Sequence, residues 1–246
     1  MNAHRNSLLQ ELRTAAMLLT RLPLGTSPPG AELPAAVWAF PVVGAGLGAG
    51  AGLAFEAASS PSPLVAAFAA TIFLVLLTGA LHEDGLADMA DGLGAGGDRA
   101  RTLEIMRDSR IGTFGTLALI LVVGLEVALL AAIEGAIAAL VTAGALSRGC
   151  MVRLLAALPP ARPDGLGARA STPPRGAVRA AYATAVLPAL LFYGLAGLWP
   201  ILTAVAVTLV VSRLALRRIG GQTGDVLGGV QRLAHAAVLA AILAIR

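Results

Sequence analysis

The stretch LVAAFAATIFLVLLTGALHEDGLADMADG (residues 64–92) joins an apolar run to the densest acidic segment of the chain. Its second part places four carboxylates, Glu83, Asp84, Asp88 and Asp91, within nine positions, although only 13% of all residues are charged. In a helix, the three aspartates lie at i, i+4 and i+7 and therefore point from one face. Carboxylates held this closely repel one another unless a cation lies between them. A solvated polar loop is the alternative, but residues 82–92 contain no Lys or Arg, so the segment indicates a cation site.

Oxygen ligands of this kind suit Mg²⁺, which commonly takes one or two carboxylates, keeps several waters and is completed by substrate phosphate. Asp84 and Asp88 are the first candidates for metal ligands, and Asp91 is either a further ligand or the general base. Asp225 is a fourth candidate ligand, because the small residues of the segment 220–229 allow a neighbouring helix to approach closely. Glu83 lies about 100° around the helix from Asp84, so it faces elsewhere or supports the ligands from behind.

The composition around this segment is that of a membrane protein. Of the 246 residues, 57% are hydrophobic and only 4% are aromatic, with a mean hydropathy of +0.81. Uncharged runs are long enough to cross a bilayer as helices of about 20 residues. We therefore predict an all-α, polytopic integral membrane bundle, a single domain over residues 1–246 with about six or seven transmembrane helices. The net charge of +4 does not cluster on a soluble module, so we expect the lipid bilayer and no nucleic acid as a partner.

An amphipathic helix at residues 5–22 is expected to lie on the membrane surface before the first span. A short amphipathic helix is also expected at residues 99–108, and the fifth and sixth spans are expected to be joined at Trp199-Pro200. The predicted spans are about 36–57, 64–81, 112–133, 136–158, 177–198 and 200–216, with a last apolar helix after residue 229.

The chain has no Lys, and its Arg residues divide cleanly between alternate connections. With the N-terminus inside, nearly all of them face the cytoplasm, and only Arg246 falls outside. This distribution predicts a multi-pass membrane protein whose site faces the cytoplasm. Three polar segments lie on that side: the acidic segment 82–110, the loop 159–176 and the Gly/Asp segment 220–229. The Gly/Asp residues 82–98 and 220–229 are therefore able to build one site.

A cytoplasmic cluster of carboxylates with Arg nearby has the parts needed for phosphoryl or nucleotidyl-type transfer. The metal neutralises a pyrophosphate, Arg binds its oxygens, and a carboxylate accepts the proton of an attacking hydroxyl. The candidate phosphate ligands are Arg99, Arg101, Arg107 and Arg110, although a head-group or topology role fits each equally well. Arg148 either extends to the interface or faces the site. Asp108 is either a substrate contact or the ion-pair partner of its Arg neighbours.

Some polar residues lie inside the apolar segments. Glu126 is deep in the third span, where an ionisable group is a functional candidate unless it is protonated or paired. His82 is expected to have a hydrogen-bonding or helix-end role, because Mg²⁺ prefers oxygen. His235 is expected to be a hydrogen-bonded packing residue, and Cys150, the only cysteine, an inert packing residue.

Four segments together resemble the signature of the adenosylcobinamide-GDP ribazoletransferase, or cobalamin synthase, family. Their order and spacing agree with that family, and the resemblance spans essentially the whole chain. The segments are HEDGLADMADGLG (82–94), RTLEIMRDSRIGTFG (101–115), RPDGLG (162–167) and GGQTGDVLG (220–228).

The resemblance implies an integral enzyme of the bacterial inner membrane that requires Mg²⁺ and performs a late step of vitamin B12 assembly. In that step a ribose hydroxyl of α-ribazole, or of its 5′-phosphate, attacks the phosphate attached to adenosylcobinamide and expels GMP. His235 departs from the family's pattern, which has a carboxylate there. The sequence leaves the oligomeric state open, a homo-oligomer included. With the matched segments, the substrate-binding candidates are Arg99, Arg107, Asp108, Ser109, Arg110, Arg148 and Asp164.

Two other functions fit parts of the pattern. CDP-alcohol phosphotransferases carry Asp-x-x-Asp-Gly-x-x-Ala-Arg, and residues 88–95 reproduce most of it, but Gly96 stands where the Arg should be. Glu104 and Asp108 only faintly echo the second half of that signature, so lipid head-group transfer ranks second. An ion-coupled transporter ranks third. It would use acids near mid-membrane, whereas most of these acids lie at cytoplasmic helix ends.

Overall fold

Apolar helices make up most of the computed structural model, which describes residues 8–26, 32–59 and 62–245. Within these ranges there are twelve α-helices and no β-strand, so the predicted all-α class is confirmed. Short 3-10 turns at Val37–Ala39 and Gly194–Gly197 lead into the helices that follow them. The helices are α1 (Leu8–Leu19), α2 (Leu33–Ala36), α3 (Phe40–Ala57), α4 (Pro63–Thr78), α5 (Leu81–Gly94), α6 (Arg99–Ile105), α7 (Thr113–Ala132), α8 (Ala136–Ala157), α9 (Gly165–Arg169), α10 (Arg175–Tyr193), α11 (Leu198–Ile219) and α12 (Gly224–Ala244).

Local sequence signals fix where the helices begin and end. The Ser62 hydroxyl accepts hydrogen bonds from the backbone N–H groups of Leu64 and Val65, and Pro63 occupies the first turn of α4. These are the preferred residues at a helix start, because they satisfy or avoid its unpaired N–H groups. Thr223 caps α12 in the same way, accepting from the N–H of Val226 at 3.3 Å. Both helices therefore start where a hydroxyl residue precedes the apolar run.

Several helices are able to cross a membrane, and one long helical run folds back on itself. Five runs in the described residues are long and apolar enough, and the bent pair α4 and α5 makes a sixth when taken together. The longest run, Arg175–Ile219, has 45 residues and would measure about 68 Å if straight. However, a Cβ on Gly149 would lie 2.7 Å from Ala185, and the Sγ of the next residue, Cys150, lies 3.6 Å from the Ala204 carbonyl. Because one level of α8 contacts both halves, α10 and α11 form an antiparallel hairpin, as expected of a polytopic bundle.

Two predicted boundaries were wrong. The hairpin turns at Gly194–Gly197 rather than at Trp199-Pro200. Pro200 lies in the first turn of α11, where a missing N–H costs no helical hydrogen bond. The second half of the segment 220–229, expected to be a glycine-rich connection, is already the start of α12, because its glycines pack against neighbouring helices.

The two helices α8 and α12 form the interior of the bundle. Their apolar windows are 78% buried, against 22% for α7 and 28% for the hairpin run. On one side α8 packs on α3 through Gly44 and Gly144, where a Cβ on Gly44 would lie 2.1 Å from the Gly144 carbonyl oxygen. Only glycine permits such a close backbone contact. The outer helices α7, α10 and α11 therefore present their apolar faces outward.

The predicted N-terminal helix is present as α1. Ala15 and Leu19 are fully buried against the bundle, whereas Leu8 and Leu9 are 70% and 74% exposed. Its position on a membrane surface stays a prediction. Arg5 and Arg246 lie outside the described residues.

The acidic segment is a separate helix that turns away from the span before it. Gly79 and Ala80 both adopt left-handed backbone conformations, with φ of 64° and 57°, and the chain bends by 88° between α4 and α5. With 14 residues, α5 is about 21 Å long and carries four carboxylates. It therefore does not continue in the direction of α4, and instead it packs against α12 and α7.

Candidate active site

Two connections run side by side at one end of the bundle. The N–H of Gln222 donates to the Pro159 carbonyl at 2.9 Å, and the N–H of Ala161 donates to the Gln222 carbonyl at 2.8 Å. The loop that follows α8 is thereby held against the connection between α11 and α12. This is the end of the bundle at which α12 begins and the acidic helix crosses it.

The acidic helix α5 and α12 touch through glycines. A Cβ on Gly85 would lie 3.0 Å from both the Gly228 Cα and the Asp225 carbonyl oxygen. Because the helices approach so closely, Asp84 and Asp225 line one cavity of about 230 Å³, together with His82 and Asp164. The structure thus brings together the acidic segment and the Gly/Asp segment, as the sequence predicted.

Negative charge is concentrated next to this cavity. Asp88 is half-buried on α5, and burial, followed by repulsion from Asp84, Asp225 and Asp91, raises the pKa of its carboxyl to about 7. The Arg162 guanidinium acts in the opposite direction. Within the described residues, no hydrogen bond engages the carboxylate of Asp84 or Asp88. A cation bound between these groups would relieve their mutual repulsion.

The donor set matches Mg²⁺ in chemistry, but the side chains do not form a complete protein cage. Among the described residues, no three His, Cys, Asp or Glu side chains stand close enough together to hold a metal ion. Mg²⁺ is usually held by only one or two carboxylates, with waters and substrate phosphate completing its shell. Asp84 and Asp225, which share a cavity, fit that pattern as a pair.

Asp91 lies in a different setting from the other predicted ligands. Its side chain is 8% exposed, and its two oxygens accept hydrogen bonds from the N–H groups of Gly112 at 2.7 Å and Gly115 at 2.8 Å. These donors belong to the first turn of α7 and the residue before it, where N–H groups lack helical partners. The geometry therefore favours an anchoring role for Asp91, and the predicted roles as ligand or base stay predictions.

Arg162 is the site residue that the sequence interpretation missed. Its Nη2 donates to Asp225 Oδ2 at 2.9 Å, and the two side chains are only 15% and 23% exposed. Arg162 also lines a second cavity of about 680 Å³, with Arg99 and Arg107. The signal available was its position at the start of a loop segment that matched the family signature. It stands between the acidic cavity and a cavity bordered by arginines.

The other arginines around the second cavity have partners in the protein. Arg99 donates to two backbone carbonyls, those of Ile219 and Ala161, both at 2.8 Å. Arg107 pairs with Asp164 at 2.9 Å, and both side chains are more than half exposed. Arg99 thus links the two connections. Because the Arg107–Asp164 pair is exposed, a phosphate is able to replace Asp164 as the partner of Arg107.

The segment after α6 carries an exposed ion pair. Arg110 Nη2 lies 2.6 Å from Asp108 Oδ2, and hydrogen bonds from Arg110 lower the pKa of the Asp108 carboxyl to about 2. The alternative in which Asp108 pairs with a neighbouring Arg is confirmed. Ser109 between them is exposed, and its predicted substrate contact stays a prediction.

Arg148 lines neither cavity. It is 3% exposed inside the bundle, where its Nη1 lies 3.3 Å from Ser147 Oγ, so it does not extend to a membrane interface. Glu126 has the partners that the sequence did not identify, namely Arg232 and His235. The expected hydrogen-bonded packing role of His235 is confirmed by its 3.2 Å contact with Glu126.

Comparison with known proteins gives matches along nearly the whole chain. A model of the cobalamin-5-phosphate synthase family matches residues 11–243. The adenosylcobinamide-GDP ribazoletransferase of Bradyrhizobium diazoefficiens is 45% identical over 242 residues, covering 95% of this chain and 93% of the relative. Proteins of the same name from Azorhizobium caulinodans and Rhizobium meliloti are 43% identical over 96% of this chain and of the relative, and 47% identical over 74% of each. No solved structure matches the chain.

Proposed function

Because the chain belongs to the cobalamin-5-phosphate synthase family, we propose that it transfers cobinamide phosphate from adenosylcobinamide-GDP to α-ribazole or its 5′-phosphate and releases GMP. It is a membrane transferase of cobalamin synthesis. The observation that carries the finer proposal is the meeting of the acidic and Gly/Asp segments at one cavity, beside a second cavity bordered by arginines. A diphosphate substrate needs both kinds of contact.

The carboxylates that share the cavity would hold the metal. Asp84 and Asp225 would bind Mg²⁺, which when present supplies positive charge to the pyrophosphate oxygens. Arg162 is placed to donate to phosphate oxygens, since its guanidinium already pairs with Asp225 and borders both cavities.

The transfer forms one phosphorus–oxygen bond and breaks another. The acceptor's ribose hydroxyl oxygen forms a bond to the phosphorus that is attached to cobinamide. The bond between that phosphorus and the bridging oxygen of GMP breaks, and GMP leaves. The hydroxyl proton passes to a carboxylate, for which Asp88 is the best placed group, because it is half-exposed beside Asp84 and Asp225 and has no hydrogen bond among the described residues.

The site is proposed to open to the cytoplasm of the inner membrane. The support is the distribution of Arg, which is concentrated in the connections at the end of the bundle where α5, α8 and α12 meet. A cytoplasmic opening gives water-soluble nucleotide and acceptor direct access to the cavities.

The direct experiment uses purified protein in detergent or nanodiscs with adenosylcobinamide-GDP, α-ribazole 5′-phosphate or α-ribazole, and Mg²⁺. We expect GMP release that requires both substrates and stops with EDTA. Release of CMP from a CDP-alcohol, without GMP from the cobinamide substrate, would establish the lipid head-group alternative. Ion flux in liposomes without nucleotide chemistry would establish the transporter alternative.

Asp84→Asn tests the metal assignment. We expect turnover to fall by at least about 100-fold, because loss of outer metal partners alone typically costs 10- to 100-fold. Glu56→Gln is the matched control, since Glu56 is an exposed carboxylate on α3 at the opposite end of the bundle. Retained activity of Asp84→Asn with unchanged Mg²⁺ dependence would remove Asp84 from the metal site.

A further inference from the structure

A group of polar side chains is buried inside the bundle, and one of them, His82, also lines the acidic cavity. Each of them is at most 8% exposed, and they come from four helices, α5, α7, α8 and α12. Buried charges are costly unless they are paired, so such a group needs an explanation. We call it the buried network; it consists of His82, Glu83, Glu126, Ser147, Arg148, Gln231, Arg232 and His235.

Arg232 is the centre of the buried network. It pairs with Glu126 of α7, and its Nε lies 3.4 Å from Glu83 Oε1 of α5, an electrostatic contact rather than an aligned hydrogen bond. The next residue back, Gln231, donates from Nε2 to Ser147 Oγ of α8 at 3.1 Å. One turn of α12 is therefore tied to three neighbouring helices.

The tie to α5 is made by the residue that precedes the first proposed metal ligand. Glu83 and Asp84 are adjacent on α5, so they point in directions about 100° apart. On α12, Asp225 and Arg232 are seven residues apart, nearly two full turns, and so lie on the same side of that helix. Gly228, which meets Gly85 of α5, lies between Asp225 and Arg232 along α12.

The contact at Gly85 offers no interlocking side chain, whereas further along α5 Met89 packs against Gly229 of α12 and Asp91 is anchored to α7. The Glu83–Arg232 pair adds a fixed point near the start of α5, because turning α5 there would pull Glu83 out of reach of Arg232. The same rotation would carry Asp84 away from Asp225. The ion pair and the carboxylate pair are thus coupled through one rigid 14-residue helix.

We propose that Glu83 and Arg232 are positioning residues, whose buried ion pair sets the rotation of α5 against α12 and thereby the spacing of Asp84 and Asp225. The proposal rests on the proposed function only in taking those two aspartates as ligands of a divalent cation. Neither Glu83 nor Arg232 contacts the substrates. Their effect is on how tightly the cation binds, before any chemistry occurs.

The test measures cation binding directly. Mn²⁺ replaces Mg²⁺ as the probe, and the free ion is followed by electron paramagnetic resonance, without substrates, on full-length protein in nanodiscs. We expect Glu83→Gln to weaken Mn²⁺ binding on the order of 10-fold, comparable to the loss of other supporting groups around metal ligands. Asp84→Asn identifies the site by removing the binding seen in the unmodified protein.

His235→Gln is the matched control. His235 belongs to the same buried network and contacts Glu126 at 3.2 Å, but among the described residues no hydrogen bond or ion pair joins it to α5. A general loosening of the bundle would lower the thermal unfolding midpoint and the Mn²⁺ affinity in both variants. A positioning role predicts that His235→Gln lowers the unfolding midpoint while leaving Mn²⁺ affinity unchanged.

Three results would overturn the proposal: unchanged Mn²⁺ affinity in Glu83→Gln, equal weakening in His235→Gln, or no Mn²⁺ binding by the unmodified protein. If Glu83→Gln does not fold, Glu83→Asp gives the same comparison, because it keeps the charge but shortens the reach to Arg232. If the unmodified protein binds Mn²⁺ but releases no GMP, the proposed function fails while the Mn²⁺ series still decides the positioning role.

Discussion

Asp91 holds the start of α7 with both carboxylate oxygens. In Asp91→Asn one oxygen becomes an NH₂ group that faces a backbone N–H, so one bond is lost and a repulsive contact replaces it. Because the side chain is buried, we expect a loss of about 1–3 kcal/mol in the free energy of unfolding. Reversible denaturation of the variant and of the unmodified protein in mixed micelles measures this difference in the free energy of unfolding. An Asp91→Asn protein with unchanged stability but no GMP release would instead support a catalytic role for Asp91.

Arg162 lines both cavities, and we expect it to contribute to substrate binding through a charged hydrogen bond. We expect Arg162→Gln to lower kcat/KM for the cobinamide substrate roughly ten- to a hundredfold, the range for one hydrogen bond to a charged group. Steady-state GMP release measures the effect. Arg101→Gln is the control, because Arg101 forms an exposed pair with Glu104 in which both side chains are at least 60% exposed. Equal losses in both variants would contradict a specific role for Arg162.

At the scale of helices, the contact between α5 and α12 depends on the absence of side chains. Gly85→Ala would place a Cβ 3.0 Å from the backbone of α12, which cannot yield as a side chain can. We expect the helices to separate, with a destabilisation of about 1–3 kcal/mol and a marked loss of activity. Thermal unfolding and GMP release are the two measurements.

The matched control for this contact is Gly124→Ala. Gly124 lies within α7, and a Cβ there would meet nothing within 4 Å. Because Gly is a poorer helix former than Ala by about 1 kcal/mol, this change should be neutral or stabilising. A Gly85→Ala protein as stable and active as Gly124→Ala would contradict the close-contact interpretation.

The helices could be predicted from the sequence because each one depends on an apolar run. Their ends could be predicted where they depend on local capping residues. The predicted spans 112–133 and 136–158 differ from α7 and α8 by one residue at most at each end. The turn at Gly194–Gly197 and the early start of α12 were not predictable. Proline breaks a helix interior but is tolerated in its first turn, so Pro200 alone does not fix which residue begins α11. Gly228 and Gly229 lie inside α12, where they form close contacts with α5 that the sequence does not show.

At the scale of the molecule, the two ends of the bundle should be labelled from opposite sides of the membrane. Ser109 is exposed at the site end, and Glu56 is exposed at the far end, where α3 packs near the start of α8. With the buried Cys150 replaced by Ala, we expect a membrane-impermeant maleimide to label Glu56→Cys in intact spheroplasts. Ser109→Cys should react only after permeabilisation. The reverse pattern would place the site outside.

The candidate site could be predicted in part, because Asp84, Asp88 and Asp225 carry their chemistry in local motifs. The partners of Glu126 could not be predicted, since Arg232 is 106 residues away and His235 is 109 residues away. Which charges meet inside a bundle depends on helix rotation and crossing. The positions of the apolar spans and the distribution of Arg residues along the sequence do not contain that information.

The unequal burial of the helices also bears on how the sequence can change. Positions such as Leu121 and Val210, 67% and 63% exposed on the outer helices, meet only hydrocarbon in a bilayer. There any apolar residue of moderate size should serve, so α7 and α11 are free to drift among Leu, Val, Ile and Phe. On α8 and α12, by contrast, 78% of the apolar window is buried against neighbouring helices. Substitutions should therefore accumulate as a stripe on the outside of the bundle while the inner pair stays nearly fixed.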